Sequence, residues 1–141
     1  MFRRGDYVLC NFPFRESRGP GSSPHVVLCA ATGREGNANF AIVFYTTSRT
    51  DYHGAQRPRQ YLFVSKTRAM ELGQKTAFHV DVSRVARLPL TVDYFPEMVG
   101  NTVPMRGHDP NFVTIVEGRL RELIASGFEI TRVDAVTRDR K

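Results

Sequence analysis

Apolar residues in this chain gather into short runs separated by turn formers, and most runs are too brief for helices. Tyr7 to Phe12 is one run, opened by Gly5-Asp6 and stopped by Pro13; Pro24 to Ala31 is a second, rich in Val and Leu. A third spans Asn39 to Thr47, entered after the turn-rich Gly33 to Asn37. Weaker strand signals lie at Tyr61 to Ser65, Thr76 to Val82 and Val85 to Leu88. Lys66 to Gln74 predicts a helical turn around Ala69 to Leu72, ended by Gly73. The one long helix predicted covers about 110–126. Asp109 stands at its N-cap and Pro110 at its first position, where the missing N–H costs nothing; Gly127 follows its end. Phe112, Ile115, Val116, Leu120, Leu123 and Ile124 recur there at helical spacing. Five or six short strands without long helices between them predict a mainly β domain over residues 1–141, either a small barrel or a strongly curled sheet, with a C-terminal α-helix.

Length and composition narrow the class. A chain of 141 residues fits one domain, and the apolar runs at Val26 to Ala31 and Phe40 to Tyr45 are each only six residues, against the roughly 20 needed to span a bilayer. No membrane span is expected. Arg3 and Arg4 are not followed by an apolar stretch before Asp6, so the N-terminus does not read as a signal peptide. Cys10 and Cys29 lie in apolar, strand-like sequence and read as a buried reduced pair in a cytoplasmic protein. Charge adds a direction. Twenty basic residues against fourteen acidic give +6, and 17 of the 20 are arginine, whose planar fork grips phosphate well. Most of the excess precedes residue 105: 13 basic against 8 acidic residues there, 7 against 6 after it. A polyanion partner is favoured.

Familiar nucleotide and zinc signatures are absent, and His25, His53, His79 and His108 are widely separated, so neither a metal nor a cofactor is expected. His79-Val80-Asp81-Val82-Ser83-Arg84 carries more. In a strand the period of two turns His79 and Asp81 to one face and Val80 and Val82 to the other, placing an imidazole, a carboxylate and nearby Arg84 along a polar groove. Such a set can orient a 2′-hydroxyl, move its proton and hold the phosphate it attacks. The competing reading is a strand whose His–Asp pair is only a hydrogen bond beside the core. Thr46 and Thr47 end an apolar strand, and one of them can face the same side. Ser22, Ser23 and His25 flank Pro24 at the mouth of a long basic loop, where hydroxyl-capped turns are the plainer account. Arg15 and Arg18 in that loop, and Arg49, Arg57 and Arg59 in a second, are interleaved with Phe14 and Tyr52. Arginines for phosphates and aromatics for stacking make a single-strand binding surface; solvated loop charge is the alternative.

Arg4-Gly5-Asp6-Tyr7-Val8-Leu9 followed by Asn11-Phe12-Pro13-Phe14, then Gly21-Ser22-Ser23-Pro24-His25-Val26-Val27-Leu28 and Ile42-Val43-Phe44-Tyr45-Thr46-Thr47-Ser48, resemble the MazF/PemK family of toxins from bacterial toxin–antitoxin systems. The resemblance covers about residues 3–90. It implies a small SH3-like barrel with a C-terminal helix, a homodimer, a cognate antitoxin protein that covers the substrate groove, and metal-independent cleavage of single-stranded RNA. In that chemistry the 2′-hydroxyl attacks the adjacent phosphate and leaves a 2′,3′-cyclic phosphate and a 5′-hydroxyl. The resemblance places the functional threonine on Thr47, to position the scissile phosphate. Asp81 and His79 fall to proton transfer or its orientation, and Arg84 to phosphate stabilisation. Two positions depart from the pattern: Ser23 stands where the family has an arginine before the loop proline, and His79 where some members have the first arginine of Arg-x-Asp-x-x-Arg. Either His79 acts as acid or base while Arg15 or Arg18 replaces the lost charge, or the groove binds RNA without cutting it. A regulatory nucleic-acid-binding barrel and a gyrase-inhibiting toxin are the other readings the sequence leaves open.

Overall fold

A computed structural model describes residues 2–13, 19–21, 23–48 and 57–136. The chain runs β1 (Asp6–Cys10), β2 (His25–Glu35), β3 (Ala38–Thr47), β4 (Tyr61–Val64), α1 (Lys66–Glu71), β5 (Phe78–Pro89), β6 (Met105–His108), α2 (Pro110–Ala125) and β7 (Thr131–Asp134). The three strongest apolar runs become β1, β2 and β3. The two weaker runs at Thr76 to Val82 and Val85 to Leu88 merge into the single long strand β5.

The closed SH3-like barrel with one helix is overturned. The seven strands form an open sheet of order β4-β5-β3-β2-β1-β6, with β7 also on β5, and two helices accompany it. Closure fails because the end strands β4 and β6 do not pair with each other. β5 offers one edge to two strands in turn: Phe78 to Asp81 pair antiparallel with β4, and Arg84 to Arg87 pair parallel with β7. The parallel pair makes this a mixed sheet rather than a simple antiparallel meander.

Alternation along the strands divides the core between the two faces of the sheet. On one face Tyr7, Leu28, Phe44, Phe78, Val80 and Val82 pack against Ala69 and Leu72 of the α1 turn and Val113, Val116 and Leu123 of α2. On the other, Val8, Cys10, Val27, Cys29, Val43 and Leu88 pack with Phe95 and Val103 from the segment between β5 and β6. Both cysteines are buried and free, and burial pushes the Cys29 thiol up to about 12. α2 starts where its sequence predicts: Asp109 accepts from the Phe112 N–H at 3.3 Å, Pro110 follows, and Gly127 takes φ +81 beyond the C-terminus. Its buried stripe is narrower than the periodicity suggests, because Ile115 and Ile124 are exposed while Val113 is buried. Among the described residues, no helix is long and apolar enough to cross a membrane.

Candidate functional site

The site candidates converge where β3, β5 and β4 lie side by side. Antiparallel pairing sets residues opposite one another on a common face. His79 is opposed by Thr47 on β3 and by Phe63 on β4, and Asp81 by Tyr45 and Tyr61. Two rows result, Thr47–His79–Phe63 and Tyr45–Asp81–Tyr61. Val80 and Val82 point the other way into the helix-covered core, as a period of two requires. Of the two threonines, Thr46 is turned away and its hydroxyl donates to the Val26 carbonyl at 2.6 Å, leaving Thr47 on the His79 face.

A register break shapes the carboxylate. Tyr45 opposes Asp81 but Phe44 opposes Val85, so Val82, Ser83 and Arg84 stand opposite a single step of β3. In a regular strand Arg84 would point to the face opposite Asp81; the bulge swings it back. Its Nε lies 3.3 Å from Asp81 Oδ2, while the Ser83 hydroxyl and N–H donate to Asp81 Oδ1 at 2.6 and 3.0 Å. Asp81 is 4% exposed, and burial pushes its pKa above the ordinary carboxylate value against the opposing pull of the Ser83 hydrogen bonds and of Arg84. It is a partly desolvated, fixed carboxylate with a guanidinium beside it.

His79 is fully buried, which a half-exposed polar groove would not give. Its ring lies 5.5 Å from that of Tyr61 and 5.1 Å from that of Phe63. Arg57 stacks on Phe63, 4.8 Å from the ring centre, and its Nε donates to His79 Nε2 at 3.3 Å. Because a guanidinium only donates, Nε2 is the unprotonated nitrogen in this arrangement. His25 sits one strand further along, its Nδ1 3.4 Å from the Tyr45 hydroxyl, and its burial lowers its pKa. Burial raises that of Tyr45.

The structure therefore joins Thr47, His79, Asp81, Arg84 and Arg57 on one face, with His25 at its margin. Ser23 is exposed, and Arg59 turns toward α2, donating to the Ser126 hydroxyl at 3.3 Å. Arg15, Arg18 and Arg49 lie outside the described residues, as do Phe14, Ser22 and Tyr52. Among the described residues, Arg57 is the arginine hydrogen-bonded to His79. The chain matches no family model and no curated protein. The open, mixed sheet also does not match the SH3-like barrel that the MazF/PemK resemblance implies.

Tyr45, Tyr61, Phe63 and Ser83 complete the site and were not singled out by sequence. Period-two alternation in Tyr61-Leu62-Phe63-Val64 does place the two aromatics on one face, but only the β4–β5 register shows which residues they meet. Among the described residues, no group of three His, Cys, Asp or Glu side chains is placed to hold a metal ion. Chemically, the face offers a carboxylate able to take a proton, two guanidiniums able to hold phosphate oxygens, and aromatic rings able to flank bases.

Proposed function

We propose that this protein is a metal-independent endoribonuclease acting on single-stranded RNA. The observation that carries the reading is the Tyr45–Asp81–Tyr61 row, with Arg84 bent back onto the carboxylate. The attacking group belongs to the substrate, so the chain needs to supply only a base, positive charge and positioning. Asp81 takes the proton of a ribose 2′-hydroxyl, the O2′–P bond forms as the P–O5′ bond breaks, and the departing 5′-oxygen takes a proton from water. The products are a 2′,3′-cyclic phosphate and a 5′-hydroxyl. Arg84 exchanges its contact with Asp81 for the phosphate, whose charge grows in the transition state, and Thr47 positions that phosphate. His79, buried behind Arg57, is a positioning residue that fixes the guanidinium over Phe63. A homodimer and an antitoxin covering this face are the protein partners the reading carries with it.

A second reading keeps RNA binding and drops cleavage. It is favoured by the occupied state of Asp81, already held by Ser83 and Arg84, and by Ser23 in place of an arginine. Incubating purified protein with long single-stranded RNA in excess EDTA separates the two. Discrete cuts that disappear in Asp81→Asn support the enzyme; retained binding with no cuts supports the binding module.

A further inference from the structure

Around the edge of the sheet from the Asp81 face lies a second basic feature. A pocket of about 380 Å³ opens between β4 and α2, lined by Arg57, Arg59, Tyr61, Phe63, Arg119 and Glu122, among others. Three guanidiniums face one carboxylate there. Arg119 approaches Glu122 at 3.4 Å and also donates to the Arg59 carbonyl at 2.6 Å. Arg59 donates to the Ser126 hydroxyl, and Arg57 to His79. Among the described residues neither Arg57 nor Arg59 is paired with an acid. Neutral hydrogen bonds thus hold like charges together around a cavity, and an anion is what would relieve their repulsion.

The pocket is continuous with the candidate site. Tyr61 and Phe63 belong both to the rows beside Asp81 and His79 and to the pocket wall, and Arg57 touches both regions. β4 ends the sheet, so a chain crossing the Asp81 face can turn over this edge toward α2. We infer that the β4–α2 pocket seats a backbone phosphate of the bound single-stranded RNA beyond the point of cleavage, held by Arg59 and Arg119. This rests on the ribonuclease reading and gives the strand a direction across the molecule. A phosphate seat carries no sequence information, so its contribution depends on strand length and salt rather than on base identity.

The test uses fluorescein-labelled 2′-O-methyl RNA of mixed sequence, which lacks the attacking hydroxyl, in a short and a long form. Binding to the 141-residue chain is followed across a salt series. Arg59→Ala and Arg119→Ala should each weaken long-strand binding several-fold and flatten its salt slope by about 0.7, the single-strand value for one phosphate contact. Short-strand binding should change little. Glu122→Gln, which removes the one acid, should tighten long-strand binding, and this readout does not depend on a destabilising truncation. Arg84→Ala serves as the control on the Asp81 face and should weaken both strands. Unchanged long-strand affinity and slope in Arg59→Ala, Arg119→Ala and Glu122→Gln, with Arg84→Ala weakened, would remove the pocket from the RNA path while leaving the main site standing. If Arg84→Ala is also without effect, the ribonuclease reading fails and the inference with it. Inorganic phosphate that binds the pocket without competing against long RNA would mark a free-anion site instead and overturn the strand path.

Discussion

Asp81 balances burial, which disfavours its charge, against Ser83 and Arg84, which favour it; burial wins and its pKa rises. A carboxyl whose folded pKa lies above its unfolded value adds stability below the unfolded value and loses that contribution as pH rises through the folded one. Wild type should therefore lose stability relative to Asp81→Asn as pH is raised from about 4, the unfolded value, through the raised one. Urea midpoints for the two proteins across pH 4 to 8 give the sign directly, and a wild type that gains on the variant over that interval contradicts the assignment. The same shift puts the acid limb of cleavage above the ordinary carboxylate range, and Ser83→Ala should move it higher still. His79 is separable by chemistry. His79→Gln can still present an acceptor to Arg57, so it should retain more cleavage than His79→Ala. Equal loss in both would instead point to proton transfer by the imidazole itself.

At the scale of elements, the tight joint is where β1 begins beside the start of α2. Gly5 has φ +97, and a Cβ there would lie 2.6 Å from the Pro110 nitrogen and 2.8 Å from its Cα, both backbone atoms. Gly5→Ala should cost at least about 2 kcal/mol by denaturant unfolding, combining a left-handed backbone with a clash that cannot be relieved by a rotamer. A cost below about 0.5 kcal/mol would show that the joint yields easily. The early strands were legible because Val, Leu and Ile runs bounded by Gly and Pro specify themselves locally, as did α2 through Asp109, Pro110 and Gly127. β6, Met-Arg-Gly-His, and β7, Thr-Arg-Val-Asp, carry no such pattern, being short, polar and held by pairing with distant strands. The open sheet is not legible for that reason: closure is decided by whether the end strands β4 and β6 meet, which their own composition does not specify. In the site, alternation placed His79 and Asp81 on one face, but the return of Arg84 needed a bulge invisible in local sequence. The burial of His79 needed Tyr61, Phe63 and Arg57, brought in by β4.

Across the molecule, whose formal charge is +6, Arg57, Arg84, Arg59 and Arg119 lie around the β3–β5–β4 face and the adjoining β4–α2 pocket. That distribution favours a polyanion, and the aromatic rows favour unstacked bases over a duplex. Charge and aromatics alone describe a binder, however, and what distinguishes an enzyme is Asp81 acting on a 2′-hydroxyl. The decisive measurement is the chemistry of the ends produced from long single-stranded RNA in excess EDTA by wild type and Asp81→Asn side by side. Wild type should give discrete cuts with 2′,3′-cyclic phosphate and 5′-hydroxyl termini, and the variant none. Termini carrying a 5′-phosphate, undiminished cutting by Asp81→Asn, or folded RNA-bound wild type that cuts nothing would contradict it.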